Sequence, residues 1–171
     1  MNAHLQRALD EVEAATGRLS VEEIARPVPG RWSVAEILEH LTLAFTVNVR
    51  ALEKALASGD PKAGRPTPSQ WLSRVLVVDI GYFPRARAPE NVTPHGSIPP
   101  ETSRSAIRDA LATLDATLER AAARFGERQP LLKHAFFGGM TVPQWRVFHF
   151  RHARHHMRQV RRISGELSRA R

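Results

Sequence analysis

The chain has 171 residues, of which 42% are hydrophobic and 25% are charged, with 8 histidines and no cysteine. This length and composition are typical of one globular domain and argue against disorder and a membrane class. The lack of cysteine excludes disulfides, thiolate metal sites and a cysteine nucleophile, so histidine, carboxylate or water would have to bind any metal. The N-terminal stretch carries acids and lacks the apolar core of a signal peptide, which predicts a cytoplasmic location.

The formal net charge of +8 is concentrated at the end of the chain. Between Thr141 and Arg171 there are eight arginines and one acid, Glu166. Arginine on the solvent-facing side of a bundle helix is commoner than a polyanion site, so nucleic-acid binding is not expected. If the arginines did bind phosphates, affinity would fall steeply as the salt concentration rises.

The first half of the chain contains two predicted long helices. Apolar residues recur at spacings of three and four over about 4–19, which is typical of an amphipathic helix. A capping box at Ser20 indicates a short helical turn after it. A second box, Ser33 with Glu36, opens a long helix over about 33–58 that ends at Gly59.

A Pro-rich crossover separates the second long helix from the third. Eight of the 12 prolines lie between residues 60 and 100, so this stretch cannot be one long helix. Within it, Gln70 to Phe83 is apolar enough for a short helix that packs across the others. Pro84 to Pro100 is expected to be an extended covering loop.

Two further long helices are predicted in the second half. One covers about 102–125, with apolar residues in near-heptad register, and stops at Gly126. The last covers about 141–167 and begins at Thr141, where a T-x-x-Q capping box is combined with a proline in the first turn. No strand is expected. Four long amphipathic helices predict an all-α fold, a four-helix bundle formed by a single domain over residues 1–171.

Three histidines lie on apolar helix faces, where a metal site is conceivable. His152 and His156 are four residues apart in the last helix, so their Cβ atoms lie about 6 Å apart on one face. His40 lies on the apolar stripe of the second helix and should also face inward. Three protein nitrogens with one open position are typical of a catalytic metal site. The alternative is that each is a core histidine with an ordinary hydrogen-bond partner.

The sequence predicts the positions of the remaining histidines less specifically. His149 shares the face of His152 and would be either a fourth ligand or a residue that supports the ligands. His155 should face a neighbouring helix or solvent. His95 belongs to the covering loop and could reach the site from there, whereas His4 and His134 lie in terminal or loop contexts.

Two motifs carry a resemblance to a known family. The segment 32–41 reads W-S-x-x-E-x-x-x-H-L, and the segment 152–159 reads H-x-x-H-H-x-x-Q. Together they resemble the second and fourth helices of the DinB-like superfamily. The resemblance implies an up-down-down-up bundle with a divalent metal ion, nickel, zinc or iron, at one end of its cavity.

The resemblance also assigns roles to residues. It implies that His40, His152 and His156 are the three metal ligands, that Trp32 anchors the start of the second helix, and that Gln159 supports the site. Characterised branches of the superfamily are metal-dependent thiol S-transferases, isomerases and hydrolases. The leading hypothesis is therefore an enzyme whose metal activates a thiol or water towards a small-molecule substrate.

The sequence leaves open which molecules the protein binds. A low-molecular-weight thiol would need polar or cationic groups, for which Arg85, Arg87 and His95 on the covering loop are the candidates. The alternative to an enzyme is a non-catalytic binding module, metal-stabilised or metal-free. Such a module would act as a homodimer, and the apolar segment Gln70 to Phe83 would supply its interface.

Overall fold

A computed structural model describes residues 1–84 and 87–169, apart from the side chain of Ser168. The long helices in this part of the chain are α1 (Ala3–Thr16), α3 (Val34–Ser58), α5 (Ser103–Phe125) and α6 (Val142–Arg169). The shorter elements are α2 (Val21–Ala25), α4 (Pro68–Arg74), a π-helical segment (Val75–Ile80), a 3-10 turn (Glu90–Val92), and the strands β1 (Leu131–His134) and β2 (Gly138–Met140). None of the described helices has both the length and the apolar character needed to span a membrane.

The helices that carry the histidines begin at their capping boxes. Ser33 Oγ accepts the backbone N–H of Glu36 at 3.2 Å, and the Glu36 carboxylate accepts the N–H of Ser33 at 2.7 Å. Thr141 and Gln144 exchange the equivalent bonds at 3.4 and 3.0 Å before α6. Both boxes satisfy N–H groups that a helix start leaves unpaired. They fix where each helix begins, and therefore on which turn of the helix each following histidine lies.

The crossover begins at Gly59, which caps α3 with a left-handed φ of 69°. Within the predicted segment Gln70 to Phe83, the helical part starts earlier, at Pro68, and changes from α to π geometry at Val75. The predicted covering loop contains the 3-10 turn Glu90–Val92, which lies against α3. The crossover therefore has local structure of its own on the side of the bundle that carries His40.

Two expectations need correction. α1 ends at Thr16 rather than near residue 19, because Ser20 caps α2 and the chain must leave the first helix before it. β1 and β2 form an antiparallel hairpin, with Leu131 opposite Met140, where no strand was expected. Strands of four and three residues are too short to show an alternating pattern. The fold is nevertheless mostly helical, as predicted.

Side-chain contacts between the long helices define their directions. α1 and α6 are parallel and α3 and α5 are parallel, while α1 is antiparallel to α5 and α3 is antiparallel to α6. The contacts are His4 with Phe150 and Glu11 with Arg161 (α1 with α6), Glu53 with Arg120 and the C-cap residue Gly59 beside Arg124 (α3 with α5), Glu13 with Arg108 and Thr16 with Arg104 (α1 with α5), and His40 with His156 and Phe45 with His149 (α3 with α6). The bundle is therefore up-down-down-up, as predicted.

One continuous cluster of buried apolar side chains joins the four long helices. Fully buried members include Leu5 of α1, Leu41 of α3, Leu114 of α5 and Met157 of α6. The hairpin closes onto this cluster through Trp145, whose indole N–H donates to the carbonyl of Leu131 at 3.3 Å. The core thus holds α3 and α6 in fixed positions, and these are the two helices from which the candidate site is built.

Candidate metal centre

The structure brings the three predicted histidines together between α3 and α6. The Nε2 atom of His152 lies 3.3 Å from Nε2 of His40 and 3.1 Å from Nε2 of His156. One ring nitrogen from each residue lies within 4.8 Å of the others, so the group could hold a metal ion. Two nitrogens bound tetrahedrally to one zinc ion would be about 3.4 Å apart. The separations on either side of His152 are close to that value.

Two of the three rings have their protonation pattern set by a neighbour. His40 Nδ1 lies 2.7 Å from the carbonyl oxygen of Val92, which can only accept, so Nδ1 donates and Nε2 keeps its lone pair. His156 Nδ1 likewise donates to Gln159 Oε1 at 3.0 Å. The amide group of Gln159 is oriented by its other end, which lies 3.1 Å from His155 Nε2. The lone pairs of His40 and His156 therefore both point towards His152.

His152 is the ring on which the other two converge. A proton on its Nε2 would have to be shared between two acceptors, whereas one cation would satisfy all three lone pairs at once. Its Nδ1 atom is buried and has no hydrogen-bond partner among the described residues. The donor set therefore fits a divalent metal better than it fits a hydrogen-bonded core, although His152 lacks the outer hydrogen bond that most metal-bound histidines make.

Aromatic rings enclose the three histidines. Phe83 of the crossover and Phe148 of α6 both stack on His152, with ring centroids 5.9 and 5.5 Å away. Trp32, at the start of α3, lies 5.0 Å from the ring of His40. The side chains of His40 and His156 are only 5% and 8% exposed. An apolar enclosure of this kind strengthens electrostatic interactions inside it.

Burial keeps these rings neutral. It lowers the pKa of His156 to about 3, with repulsion from His40 and His155 as a smaller cause. Burial also holds the pKa of His152 well below the usual value, and it lowers that of His40 despite the hydrogen bond to Val92. Neutral imidazoles have free lone pairs, so the three rings are in the state that metal binding requires at neutral pH.

The other predicted histidines lie outside this group. His149 is fully buried between Phe45 and Trp145, with ring centroids 5.3 and 5.7 Å away, and neither of its nitrogens has a partner among the described residues. It is not brought to the other three as a fourth ligand. His155 stacks on Phe83 of the crossover, with ring centroids 4.8 Å apart, whereas a neighbouring helix or solvent was expected.

The covering loop meets the site differently from what was expected. The side chain of His95 is exposed and does not join the three-histidine group, and Arg87 is also exposed. Arg85 lies outside the described residues. The loop instead approaches His40 through its backbone, at the carbonyl of Val92.

Sequence reasoning missed Glu39, which adjoins His40. It is 1% exposed, and its carboxylate accepts four hydrogen bonds from residues 95–97 of the covering loop. Burial alone would raise the pKa of Glu39, but these hydrogen bonds outweigh it and lower the pKa. A signal was present, because an acid inside the apolar run from Ile37 to Leu41 must have a partner.

The chain is therefore a helical-bundle protein whose three inward-facing histidines, on two of its helices, form a site suited to a metal ion. The DinB superfamily matches residues 4–160, and the chain belongs to this superfamily. The match includes both histidine-bearing motifs. No curated protein and no solved structure matches the chain.

Proposed function

We propose that this protein is a metal-dependent enzyme in which His40, His152 and His156 bind one divalent ion, nickel, zinc or iron. The observation that carries the proposal is the convergence of three Nε2 atoms, two of them fixed as lone-pair donors by Val92 and Gln159. Superfamily membership and the three-histidine group are compatible with a metal-binding protein. The reaction class we propose is thiol S-transfer or hydrolysis.

A divalent ion at this site would supply Lewis-acid activation, lowering the pKa of a bound thiol or water so that it becomes a nucleophile at neutral pH. The residues themselves provide the setting for that chemistry. Three neutral nitrogens leave the charge of the ion uncompensated and leave one position open for water or a substrate. Phe83, Phe148 and Trp32 limit the access of water to the rings.

The co-substrate we propose for the transfer reaction is a low-molecular-weight thiol. Such thiols carry polar and anionic groups besides sulfur, and an exposed guanidinium on the covering loop can pair with an anion. Arg87 is exposed there, which supports this part of the proposal. A cytoplasmic location, where small thiols are reduced, stays a prediction.

Elemental analysis of the untagged protein tests the proposal without a guess at the substrate. We expect near-stoichiometric metal, after reconstitution with nickel, zinc or iron if necessary, and its loss in His40→Ala and His152→Ala. His95→Ala is the matched control, because this imidazole is exposed and outside the group, and it should retain the metal. Circular dichroism checks that each variant is folded.

The outcomes separate the possible roles of the histidines. Metal that is lost in both site variants and kept in the control would justify a screen for thiol transfer and hydrolysis. A protein that binds no nickel, zinc or iron even after reconstitution would contradict the proposal and make the three histidines ordinary core residues.

A second candidate, a dimeric binding module, is favoured by one specific observation. Five large apolar side chains are more than half exposed. They are Trp71, Leu72, Ile80 and Tyr82 of the crossover and Phe136 of the hairpin turn. Half-exposed side chains of this size offer about 100 Å² each, hence roughly 500 Å² together. That is over half of the roughly 800 Å² per partner that a stable interface buries.

Sedimentation velocity distinguishes a homodimer from a monomer. If a second copy covers these side chains, the native chain should sediment as a dimer and Ile80→Lys as a monomer. Val21→Lys is the control, since Val21 is an exposed apolar residue on α2, outside the crossover and the hairpin. A native chain that stays monomeric at high concentration would rule out the dimer without affecting the metal proposal.

A further inference from the structure

Glu39 and His40 are consecutive residues of α3 that bind the same short stretch of the crossover. His40 contacts the carbonyl of Val92, and Glu39 contacts the backbone three to five residues further on. Consecutive helical residues point about 100° apart, so one side chain can face the loop while the other faces α6. The stretch 92–97 is thus fixed to α3 at two neighbouring points.

The contacts to Glu39 are specific. Its Oε1 atom accepts the N–H groups of His95 and Ser97 at 3.2 and 3.0 Å and the hydroxyl of Ser97 at 2.7 Å. Its Oε2 atom accepts the N–H of Gly96 at 2.9 Å. Three successive backbone N–H groups around one carboxylate form a concave anion-binding arrangement. Gly96 has a φ of 74°, a conformation that glycine adopts without strain and that lets the chain curl around the carboxylate.

This arrangement matters because the bond to His40 is the only hydrogen bond from the turn Glu90–Val92 to α3 among the described residues. A loop carbonyl holds an imidazole in one orientation only if the loop itself is held. The structure shows the loop held by a buried carboxylate, 1% exposed, on the residue next to the imidazole. Removing that carboxylate would leave backbone N–H groups unpaired and free the loop to move away from α3.

We propose that Glu39 is a positioning residue for the metal centre: it fixes residues 95–97 so that the Val92 carbonyl holds the Nδ1–H of His40 and directs the Nε2 lone pair at the other two histidines. The inference rests on the proposed function for the metal itself. The fixing of His40 is a property of the metal-free chain and is testable separately.

Glu39→Gln is the decisive variant, because it keeps the shape of the side chain but replaces one oxygen with an NH2 group that cannot accept from the loop. The first readout is the tautomer of His40 in metal-free, ¹⁵N-histidine-labelled protein, observed in long-range ¹H–¹⁵N spectra. We expect Nδ1–H in the native chain and a mixture of tautomers in the variant. The second readout is affinity for Co²⁺, which should fall about 10- to 100-fold.

Asp115→Asn is the matched control. Asp115 is also a buried carboxylate, 9% exposed, but it accepts from the backbone of Asn2 and anchors the N-terminal segment instead of the crossover. This variant should lose stability while keeping both the His40 tautomer and the Co²⁺ affinity. If Glu39→Gln behaves in the same way, Glu39 is only a loop anchor and the proposal is wrong.

Two further outcomes are distinguishable. If the native chain binds no Co²⁺, nickel, zinc or iron, the proposed function fails, and the His40 tautomer still decides whether Glu39 positions the ring. If Glu39→Gln does not fold, Ser97→Ala removes one of the four donors and should produce a smaller change of both readouts in the same direction. A Ser97→Ala protein identical to the native chain in both readouts would overturn the proposal.

Discussion

His40 of α3 donates its Nδ1–H to the carbonyl of Val92, at 2.7 Å and 52 residues further along the chain. This bond ties the Pro-rich crossover to the site through backbone and not through a side chain. This support requires no particular side chain at position 92, since every residue has a carbonyl. The crossover therefore acts as an outer support for one ring of the three-histidine group.

Gln159 gives the corresponding support to His156, and its removal should weaken metal binding. Gln159→Leu keeps the approximate size of the side chain but removes the acceptor that holds the Nδ1–H of His156 at 3.0 Å. Loss of such an outer hydrogen bond typically lowers metal affinity about 10- to 100-fold. Competition with a chromophoric chelator measures the change. Gln129→Leu, an exposed glutamine, is the control, and equal affinities in the two variants would contradict the assigned role.

His149 should be dispensable for metal binding and unfavourable for stability. Its ring is fully buried, and neither nitrogen has a partner among the described residues. A buried polar group without a partner costs about 1–3 kcal/mol, so His149→Leu should raise the free energy of unfolding by about 1 kcal/mol or more. Urea denaturation measures this. Phe45→Leu, which replaces the ring packed on His149 with a smaller side chain, should instead lower the free energy of unfolding. Loss of metal in His149→Leu would show that His149 belongs to the site.

The parts of the fold that depend on local chemistry could be predicted from the sequence. Ser33 and Thr141 have side chains that cap a helix in a recognisable spacing, so the starts of α3 and α6 were expected within one residue. The inward direction of His40, His152 and His156 follows from apolar neighbours at helical spacing. These two facts together place the three rings on facing helices.

What could not be predicted depends on contacts between distant segments. The hairpin strands are stabilised by the burial of Leu131 and Met140 and by the hydrogen bond from Trp145. The seven strand residues contain no sequence pattern that predicts these contacts. Val92 contacts His40 through its backbone carbonyl, so the identity of its side chain does not predict this contact. Glu39 was visible as an acid on an apolar face, but its partners lie more than 50 residues away.

Metal should stabilise the folded chain through the same three histidines. A ligand that binds only the folded state at 100 times its dissociation constant adds about 2.7 kcal/mol to the free energy of unfolding. Thermal denaturation with and without Zn²⁺ should therefore show a higher midpoint for the native chain with metal and no shift for His152→Ala. His95→Ala should respond as the native chain does. A shift of equal size in His152→Ala would indicate that the ion binds elsewhere.

The metal-free protein should lose stability as the pH falls from 7.5 to 5. Burial lowers the pKa of His134 to about 4 and that of His149 to about 3, whereas both would titrate near 6.5 in the unfolded chain. Below pH 6.5 the unfolded state therefore binds more protons than the folded state, so the stability present above 6.5 is lost progressively towards the folded pKa values. Each such histidine contributes a slope that approaches about 1.4 kcal/mol per pH unit. Model carboxylic acids titrate at about pH 4, below this window, so the slope comes mainly from histidines.

His134 allows this pH dependence to be assigned to a residue outside the site. It lies in β1, stacked on Phe137 with ring centroids 4.4 Å apart. Replacing it with glutamine removes one titrating group, which should reduce the loss of unfolding free energy between pH 7.5 and 5 by about 2 kcal/mol. Urea denaturation at a series of pH values measures the slope for both chains. Parallel curves for the native chain and His134→Gln would mean that His134 is protonated in the folded state as readily as in the unfolded one, and that the hairpin does not shield it from water.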